Sequence, residues 1–173
     1  MQHFLIPVTI WKIWLCSPVM FFATEFMGVL GQFLFFSSNP RSFPIHLSPF
    51  SSRSLGQFWG RHWNLWVQDW LKDLSQGFGR VSKLKRTMGI FIISGIVHEL
   101  MVNLPYWIIY RKSYFGTMMV YFLIQGLALF FEKKFMGNTP AIVSKIYTYS
   151  VIILPSPLFI NVPILKFLGI VYG

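Results

Sequence analysis

Residues 89–109 read GIFIISGIVHELMVNLPYWII, an apolar run long enough to cross a bilayer as one helix. Two ionisable side chains, His98 and Glu99, interrupt this run. A charge at mid-membrane costs at least about 2.5 to 3.5 kcal/mol, so such residues usually face a protein interior or a wet cavity and often carry function. Because an imidazole exchanges protons near neutral pH, His98 is the first candidate for chemistry.

The composition predicts an integral membrane protein. Of the 173 residues, 54% are hydrophobic and 12% are charged, and the mean hydropathy of +0.56 is too high for an ordinary soluble domain. The formal charge of +10 would attract either nucleic acid or the anionic cytosolic face of a membrane, and the apolar runs favour the membrane. The amino terminus lacks the pattern of a secretory signal, so we treat residues 1–173 as one mature membrane domain.

Four stretches reach or approach the length of a membrane span. They are residues 11–36, 88–109, 114–131 and 146–162. Pro155 and Pro157 predict a kink in the last stretch, where neighbouring helices must satisfy the freed backbone groups. The expected fold is therefore all-α, a polytopic bundle of about four spans.

The loops predict the orientation of these spans. Residues 37–87 hold eight basic side chains, whereas the short loop after the second stretch holds only Arg111 and Lys112. The eight are Arg41, Arg53, Arg61, Lys72, Arg80, Lys83, Lys85 and Arg86. Since basic loops stay on the cytosolic side, residues 37–87 are expected to form a cytosolic loop.

Residues 54–74, SLGQFWGRHWNLWVQDWLKDL, predict an amphipathic helix within that loop. Ser54 followed three residues later by Gln57 is the capping-box pattern of a helix start. From residue 55 onward an apolar stripe and a polar stripe alternate at helical spacing. The apolar stripe is Leu55, Trp59, Trp63, Trp66, Trp70 and Leu74, and the polar stripe is Gln57, Arg61, Asn64, Gln68 and Lys72. Tryptophan favours the headgroup level, so we expect an interfacial helix; the alternative is that the Trp face packs on other spans.

The surroundings of His98 allow two interpretations. Ser94 and Gly95 form a small-residue patch at which another helix can approach closely. A neutral imidazole there can take a proton from a hydroxyl and later return it to a leaving group. The structural alternative is that His98 only bonds a neighbouring backbone carbonyl. Glu99 points about 100° away, and we expect it to be a structural partner for a polar or basic group on another helix.

Two motifs and the sequence that follows them resemble the membrane-bound O-acyltransferase family, specifically its wax-synthase branch. SLGQFWGRHWN at residues 54–64 resembles the branch pattern Ser-Leu-x-x-Phe-Trp-Gly-Arg-x-Trp-Asn, and SGIVHE at 94–99 resembles Ser-Gly-x-x-His-Glu. YFLIQGLALFFEKKF at 121–135 follows them. The resemblance covers residues 54–134, the carboxy-terminal half of the family's fold.

The resemblance implies an enzyme of the endoplasmic reticulum membrane that moves an acyl group from acyl-CoA to an alcohol. His98 matches the catalytic histidine of the family, and Asn64 matches its second active-site position. Arg61, Trp63, Ser94 and Glu99 are the candidate substrate-binding residues. Acyl-CoA would be a cosubstrate with no bound cofactor or metal, and a fatty alcohol, a sterol or a related metabolite would be the acceptor.

The chain is shorter than the family's usual length, so it is expected to be a fragment, a truncated product or one part of a complex. Its partners would then be a missing amino-terminal half or a second copy. Two other functions stay open: a non-catalytic membrane scaffold or regulatory protein of the same family, and a small transporter or channel subunit in which His98 and Glu99 line a polar path. Glu25 is assigned no role.

Overall fold

The computed structural model describes residues 22, 26, 46–77, 79 and 81–169, and every regular element in them is helical. The first predicted span, residues 11–36, lies outside the described residues together with Glu25; only its Phe22 and Phe26 are described, and both are helical and exposed. The expectation of an all-α protein is confirmed for the described part of the chain.

The helices follow one another with short connections. In chain order they are a 3-10 turn, Pro49–Ser51; α1, Leu55–Gln57, continued by a π-helical turn, Phe58–His62; α2, Leu65–Gln76; α3, Lys83–His98, continued by a π-helical turn, Glu99–Asn103, and by α4, Leu104–Tyr110; α5, Thr117–Phe135; α6, Ala141–Ile153; α7, Ser156–Phe159; and α8, Val162–Phe167.

Two helical stretches of the described chain are long and apolar enough to cross a membrane, Lys83–Tyr110 and Ala141–Phe159. The first contains the predicted span 88–109, and the second overlaps the predicted span 146–162. Helix α5 occupies the predicted span 114–131, but its last turn carries Glu132 and two lysines, so it is too charged to qualify over its whole length. Within the described residues, which include three of the four predicted spans, two helices of membrane length are therefore found.

Helices α3 and α5 pack closely and run antiparallel. A Cβ added to Gly95 would lie 2.8 Å from Sδ of Met119 and 3.2 Å from its Cα, while a Cβ added to Gly126 would lie 2.8 Å from Sδ of Met88. Both glycines are thus needed for the approach of the two backbones. The close approach predicted at the Ser94 and Gly95 patch is confirmed.

Many large apolar side chains remain exposed along these helices. They include Ile92, Ile96, Leu100, Ile108, Leu127, Phe131, Ile142, Ile146 and Leu154. Soluble monomers rarely expose so much continuous apolar surface, whereas helices that face lipid need it. The exposed surface therefore agrees with a membrane environment.

The prediction of one continuous helix over residues 55–74 is wrong, because the chain breaks at Trp63 and Asn64. Trp63 is extended, and Asn64 has a positive φ of 44°. Asn64 Oδ1 accepts a hydrogen bond from the Val67 amide at 3.3 Å, so Asn64 caps the start of α2. Asparagine tolerates this backbone conformation because its short side chain bonds the local backbone, and that bond competes with a continuous helix.

The break divides the predicted tryptophan stripe. Leu55 is fully buried, and the Trp59 ring packs against Phe91 and Phe122 at centroid distances of 5.7 and 6.4 Å. Trp70 and Leu74, beyond the break, are exposed. The alternative that the Trp face packs on other helices thus holds for the first half of the stripe. An interfacial position stays a prediction for α2.

The predicted Ser54 cap is confirmed, while the Gln57 side chain accepts from the Arg53 amide at 2.8 Å instead of from the Ser54 amide. Ser54 Oγ accepts a hydrogen bond from the Gln57 amide at 3.0 Å. Glu132, at the end of α5, accepts from the Leu55 amide at 2.6 Å and from the Gly56 amide at 2.9 Å. The carboxylate satisfies two free amides and complements the positive end of α1. This contact ties the start of the first motif to the carboxy-terminal end of α5.

The kink predicted at Pro155 also has a partner on another helix. Proline has no amide hydrogen, so the carbonyl of Val151, four residues earlier, loses its usual donor. Gln125 of α5 supplies one, with its Nε2 donating to the Val151 oxygen at 2.9 Å. The expectation that a neighbouring helix satisfies the freed backbone group is therefore confirmed at this proline.

Candidate active site around His98

The hydrogen bond of His98 determines which ring nitrogen is available for chemistry. Nδ1 lies 2.7 Å from the carbonyl oxygen of Ser94, one turn earlier on α3. A carbonyl oxygen can only accept, so Nδ1 carries the hydrogen and donates it. In the neutral ring Nε2 is then the unprotonated nitrogen, able to accept a proton. The bond predicted by the structural alternative exists, and it leaves the ring with a basic nitrogen.

Aromatic rings surround this imidazole. The ring of His98 lies 4.7 Å from the Phe122 ring of α5 and 5.3 Å from the Phe159 ring of α7. His98 is half-buried, and its Nε2 makes no hydrogen bond with the residues that the structure describes. The arrangement combines one proton acceptor with an apolar wall against which a hydrocarbon chain can pack.

A π-helical turn begins immediately after His98. In this turn the Leu104 amide bonds the Glu99 carbonyl, five residues earlier. Pro105 follows one residue after that amide, and its ring would clash with a carbonyl in a regular α-helix. The wider turn relieves this clash, and single π turns recur at functional sites. His98 thus lies at a local irregularity of the longest helical stretch.

Glu99 belongs to a separate buried network, which we call the polar lock and define as Glu99, Asn103, Thr117 and Asn161. Asn103 Nδ2 donates to Glu99 Oε2 at 2.6 Å, and Asn161 Nδ2 donates both to Asn103 Oδ1 and to Thr117 Oγ1 at 3.0 Å. The Met119 amide, in the first turn of α5, donates to Glu99 Oε1 at 3.1 Å. Glu99 therefore helps to cap α5, as expected of a structural partner on another helix.

Asn64 is linked to the His98 surroundings only through intermediates. Gln68, in the first turn of the helix that Asn64 caps, donates from Nε2 to the Trp59 carbonyl at 2.7 Å. The Trp59 ring then packs on Phe122, which contacts His98. Within the described part of the chain, no hydrogen bond or ring contact joins Asn64 to His98.

The other predicted site residues lie at different positions. Ser94 contacts His98 through its backbone carbonyl. Trp63 stacks on Phe58 at 5.5 Å, and Arg61 is exposed on the π turn before the break. The structure thus brings Ser94 against His98, whereas the Trp63 ring packs against Phe58 and against His46, at a centroid distance of 4.2 Å.

The basic residues predicted to attract a phosphate-bearing cosubstrate lie mostly on the exposed surface. Lys83 and Lys85 are exposed in the first turn of α3, and Arg86 is half-buried one residue on. Lys72 bonds Gln68 and Asp69 on its own helix. Among the described residues, no group of three or more His, Cys, Asp or Glu side chains could hold a metal ion.

Sequence reasoning did not single out the residues that connect the two motifs. These are Phe122, Gln125 and Phe159, together with Trp59, which was predicted only as part of the apolar stripe. The one available signal was Gln125, an uncharged polar residue within an otherwise apolar stretch. Aromatic residues carry no such signal in a chain that is 19% aromatic.

The described residues form an all-helical fold with two helices long and apolar enough to cross a membrane. A family model described as the membrane bound O-acyl transferase family matches residues 43–125, a range that contains both motifs with Asn64 and His98. The match supports membership of the membrane-bound O-acyltransferase family. No curated protein and no solved structure matches the chain. The wax-synthase branch stays a prediction.

Proposed function

We propose that the chain transfers an acyl group from acyl-CoA to the hydroxyl of a hydrophobic alcohol in the endoplasmic reticulum membrane, with His98 as general base. Family membership supports membrane acyl transfer as the reaction class. The observation that carries the role of His98 is its Nδ1 bond to the Ser94 carbonyl, which leaves Nε2 as a proton acceptor.

In the proposed reaction the acceptor hydroxyl gives its proton to Nε2 of His98 as its oxygen attacks the thioester carbonyl carbon. A carbon–oxygen bond forms, and the carbonyl oxygen becomes an oxyanion. When the carbonyl re-forms, the carbon–sulfur bond breaks and the thiolate of CoA takes the proton from Nε2. The Nδ1 bond to Ser94 stabilises the ring orientation throughout, and the product is an ester.

The oxyanion requires a preorganised donor, and Asn64 is the candidate for this role. Its Oδ1 is used as the cap of α2, which leaves the two hydrogens of its amide nitrogen as donors. Arg61, Lys83, Lys85 and Arg86 are proposed to attract the CoA phosphates from the cytosol. Phe122 and Phe159 support this function with an apolar surface beside the base.

The second candidate function is a non-catalytic scaffold or regulatory protein with the same helices. The position of Asn64 favours it, because this residue caps a helix and does not contact His98 in the described structure. A helix cap is a sufficient reason for an asparagine at this position.

The test is an assay of the purified chain in lipid vesicles with labelled acyl-CoA and a panel of fatty alcohols and sterols. His98→Ala is compared with His62→Ala. His62 is a half-buried histidine outside the aromatic surroundings of His98, and its Nδ1 forms a hydrogen bond with Ser52 Oγ at 2.7 Å. We expect ester from the wild type and from His62→Ala, and almost none from His98→Ala. Equal product from wild type and His98→Ala would contradict the general base, and no product from any protein would favour the scaffold.

A further inference from the structure

We propose that Gln125 is a positioning residue that holds the aromatic wall, the Phe122 and Phe159 rings, against His98. The inference rests on the proposed acyl transfer and adds a residue that neither motif contains. Gln125 lies ten residues before the carboxy-terminal end of α5 and is completely buried, with an exposed fraction of 0%. A buried amide in an apolar bundle is unfavourable unless its polar atoms are bonded.

Both ends of the Gln125 amide are bonded, and each bond reaches a different element. Nε2 donates to the Val151 carbonyl of α6 at 2.9 Å, and Oε1 accepts from Nε1 of Trp59 at 3.2 Å. The two requirements have separate origins, since Pro155 frees the carbonyl and the buried indole needs an acceptor. Leucine could satisfy neither group, and glutamate in its charged form could satisfy only the indole.

The bond to Trp59 determines how that ring packs beside the site. The Trp59 ring lies between Phe91 of α3 and Phe122 of α5, and Phe122 is the ring closest to His98. Helix α6 leads through Pro155 into α7, whose Phe159 is the second ring on His98. Gln125 therefore bonds one element next to each ring of the wall: Trp59, which packs on Phe122, and α6, which leads to Phe159.

The bundle offers a matched control in Tyr147, whose hydroxyl donates to the Ala128 carbonyl at 2.8 Å. This bond joins α6 to α5, the same two helices that the Gln125 bond to Val151 joins. Among the described residues, no hydrogen bond or ring contact joins Tyr147 to Trp59, and the Tyr147 ring stacks on Phe131 instead. Tyr147→Phe thus removes one interhelical hydrogen bond between the same helices and leaves the wall on His98 intact.

The experiment compares Gln125→Leu, Trp59→Phe, their double variant and Tyr147→Phe in the full chain. We expect Gln125→Leu to lower kcat about 10- to 100-fold with a smaller change in KM, because misplacement of a catalytic group acts mainly on the chemical step. Trp59→Phe keeps the ring and loses only the N–H, so its effect should be smaller. The double variant should be no worse than Gln125→Leu, since both changes remove the same bond. Tyr147→Phe should keep the wild-type kcat.

A second readout does not require activity. Diethyl pyrocarbonate acylates accessible imidazole nitrogens, and mass spectrometry of the His98 peptide reports the rate at that residue alone. We expect this rate to rise in Gln125→Leu and to stay at the wild-type value in Tyr147→Phe.

The two readouts separate the two proposals. If the wild type makes no ester but the modification rates differ as expected, acyl transfer fails and the positioning role of Gln125 stands. If the wild type is active and Gln125→Leu matches Tyr147→Phe in both kcat and modification rate, the positioning role is overturned. Full additivity of Gln125→Leu and Trp59→Phe in kcat would also overturn it.

Discussion

His98 and Glu99 are neighbours in the chain, yet they lie in regions of opposite kind. His98 makes one hydrogen bond, to Ser94, its ring lies beside two phenylalanine rings, and its other nitrogen has no bond in the described structure. Glu99 is buried, and both its oxygens are bonded within the polar lock. A polar group whose donors and acceptors are all hydrogen-bonded stabilises the fold, whereas one with an unbonded donor or acceptor is available for a substrate.

The contrast explains why two ionisable residues can share one apolar helix. Glu99 caps the start of another helix, because its carboxylate accepts from a first-turn amide of α5. Glu132 does the same for α1 at the opposite end of α5. Both carboxylates therefore act as caps between helices. His98 has no comparable role for its Nε2, and this difference can be tested by substitution.

The largest effect is expected from His98→Gln. This change removes the proton acceptor but keeps a side chain that can donate to the Ser94 carbonyl. Acyl transfer should fall about 10²- to 10⁴-fold, the usual contribution of a general base, while the melting temperature in detergent stays close to that of the wild type. A variant that loses stability as well as activity would place His98 with Glu99 among the structural residues.

The next largest effect is expected at Asn64. Two substitutions there distinguish a catalytic role, as proposed for His98, from a structural role like that of Glu99. Asn64→Asp keeps the oxygen that caps α2 but loses the amide donor. If the amide stabilises the oxyanion, ester formation should fall about 10²- to 10³-fold without loss of stability. Asn64→Ala should lose the same activity and, in addition, about 0.5 to 2 kcal/mol of stability from the cap. Full activity of Asn64→Asp in the vesicle assay would limit Asn64 to capping.

Glu99→Leu should have the opposite profile to His98→Gln. It leaves the Met119 amide without its acceptor and takes one partner from Asn103, so we expect about 1 to 3 kcal/mol of destabilisation. Thermal unfolding measures this change, and the kcat of the folded fraction should stay near the wild-type value. Glu99→Gln, which keeps one oxygen acceptor, should lose less stability. A large fall in kcat at unchanged stability would instead make Glu99 part of the chemistry.

The smallest effect on activity is expected from Asn161→Leu, at the far end of the polar lock. It removes the bonds to Asn103 and Thr117 and the Asn161 cap of α8, which should lower stability by about 1 to 3 kcal/mol. Because the residues share one network, the double variant with Glu99→Leu should lose less stability than the sum of the two single variants. Strict additivity in thermal unfolding would show that the lock consists of independent bonds.

Local features of the fold were predictable because they depend on neighbours in the chain. The Ser54 cap, the close approach at Gly95 and the kink at Pro155 all follow from residue type and spacing, and all three are confirmed. The helix break at Asn64 was missed, since its helical periodicity continues through the break and only the side-chain cap disturbs it.

The candidate site was predictable in part. His98 follows from one ionisable residue in an apolar run, and the two motifs add Asn64. The wall formed by Phe122 and Phe159 could not be found, because its members come from different helices and resemble the many other aromatic residues of the chain. Gln125 had a weak signal as a polar residue in an apolar helix, but its neighbours in the sequence do not predict that it bonds Trp59 and Val151.

The sequence by itself determined that the chain is a helical membrane protein with an ionisable pair in one span, because hydropathy and periodicity act over neighbouring residues. Only the tertiary structure decided which member of the pair is fully bonded. The partners of Glu99 lie on α5 and beyond, and those of Gln125 lie on two other elements, so they meet only when the helices pack. In a low-dielectric interior, such contacts determine whether a polar side chain stabilises the fold or remains free to react.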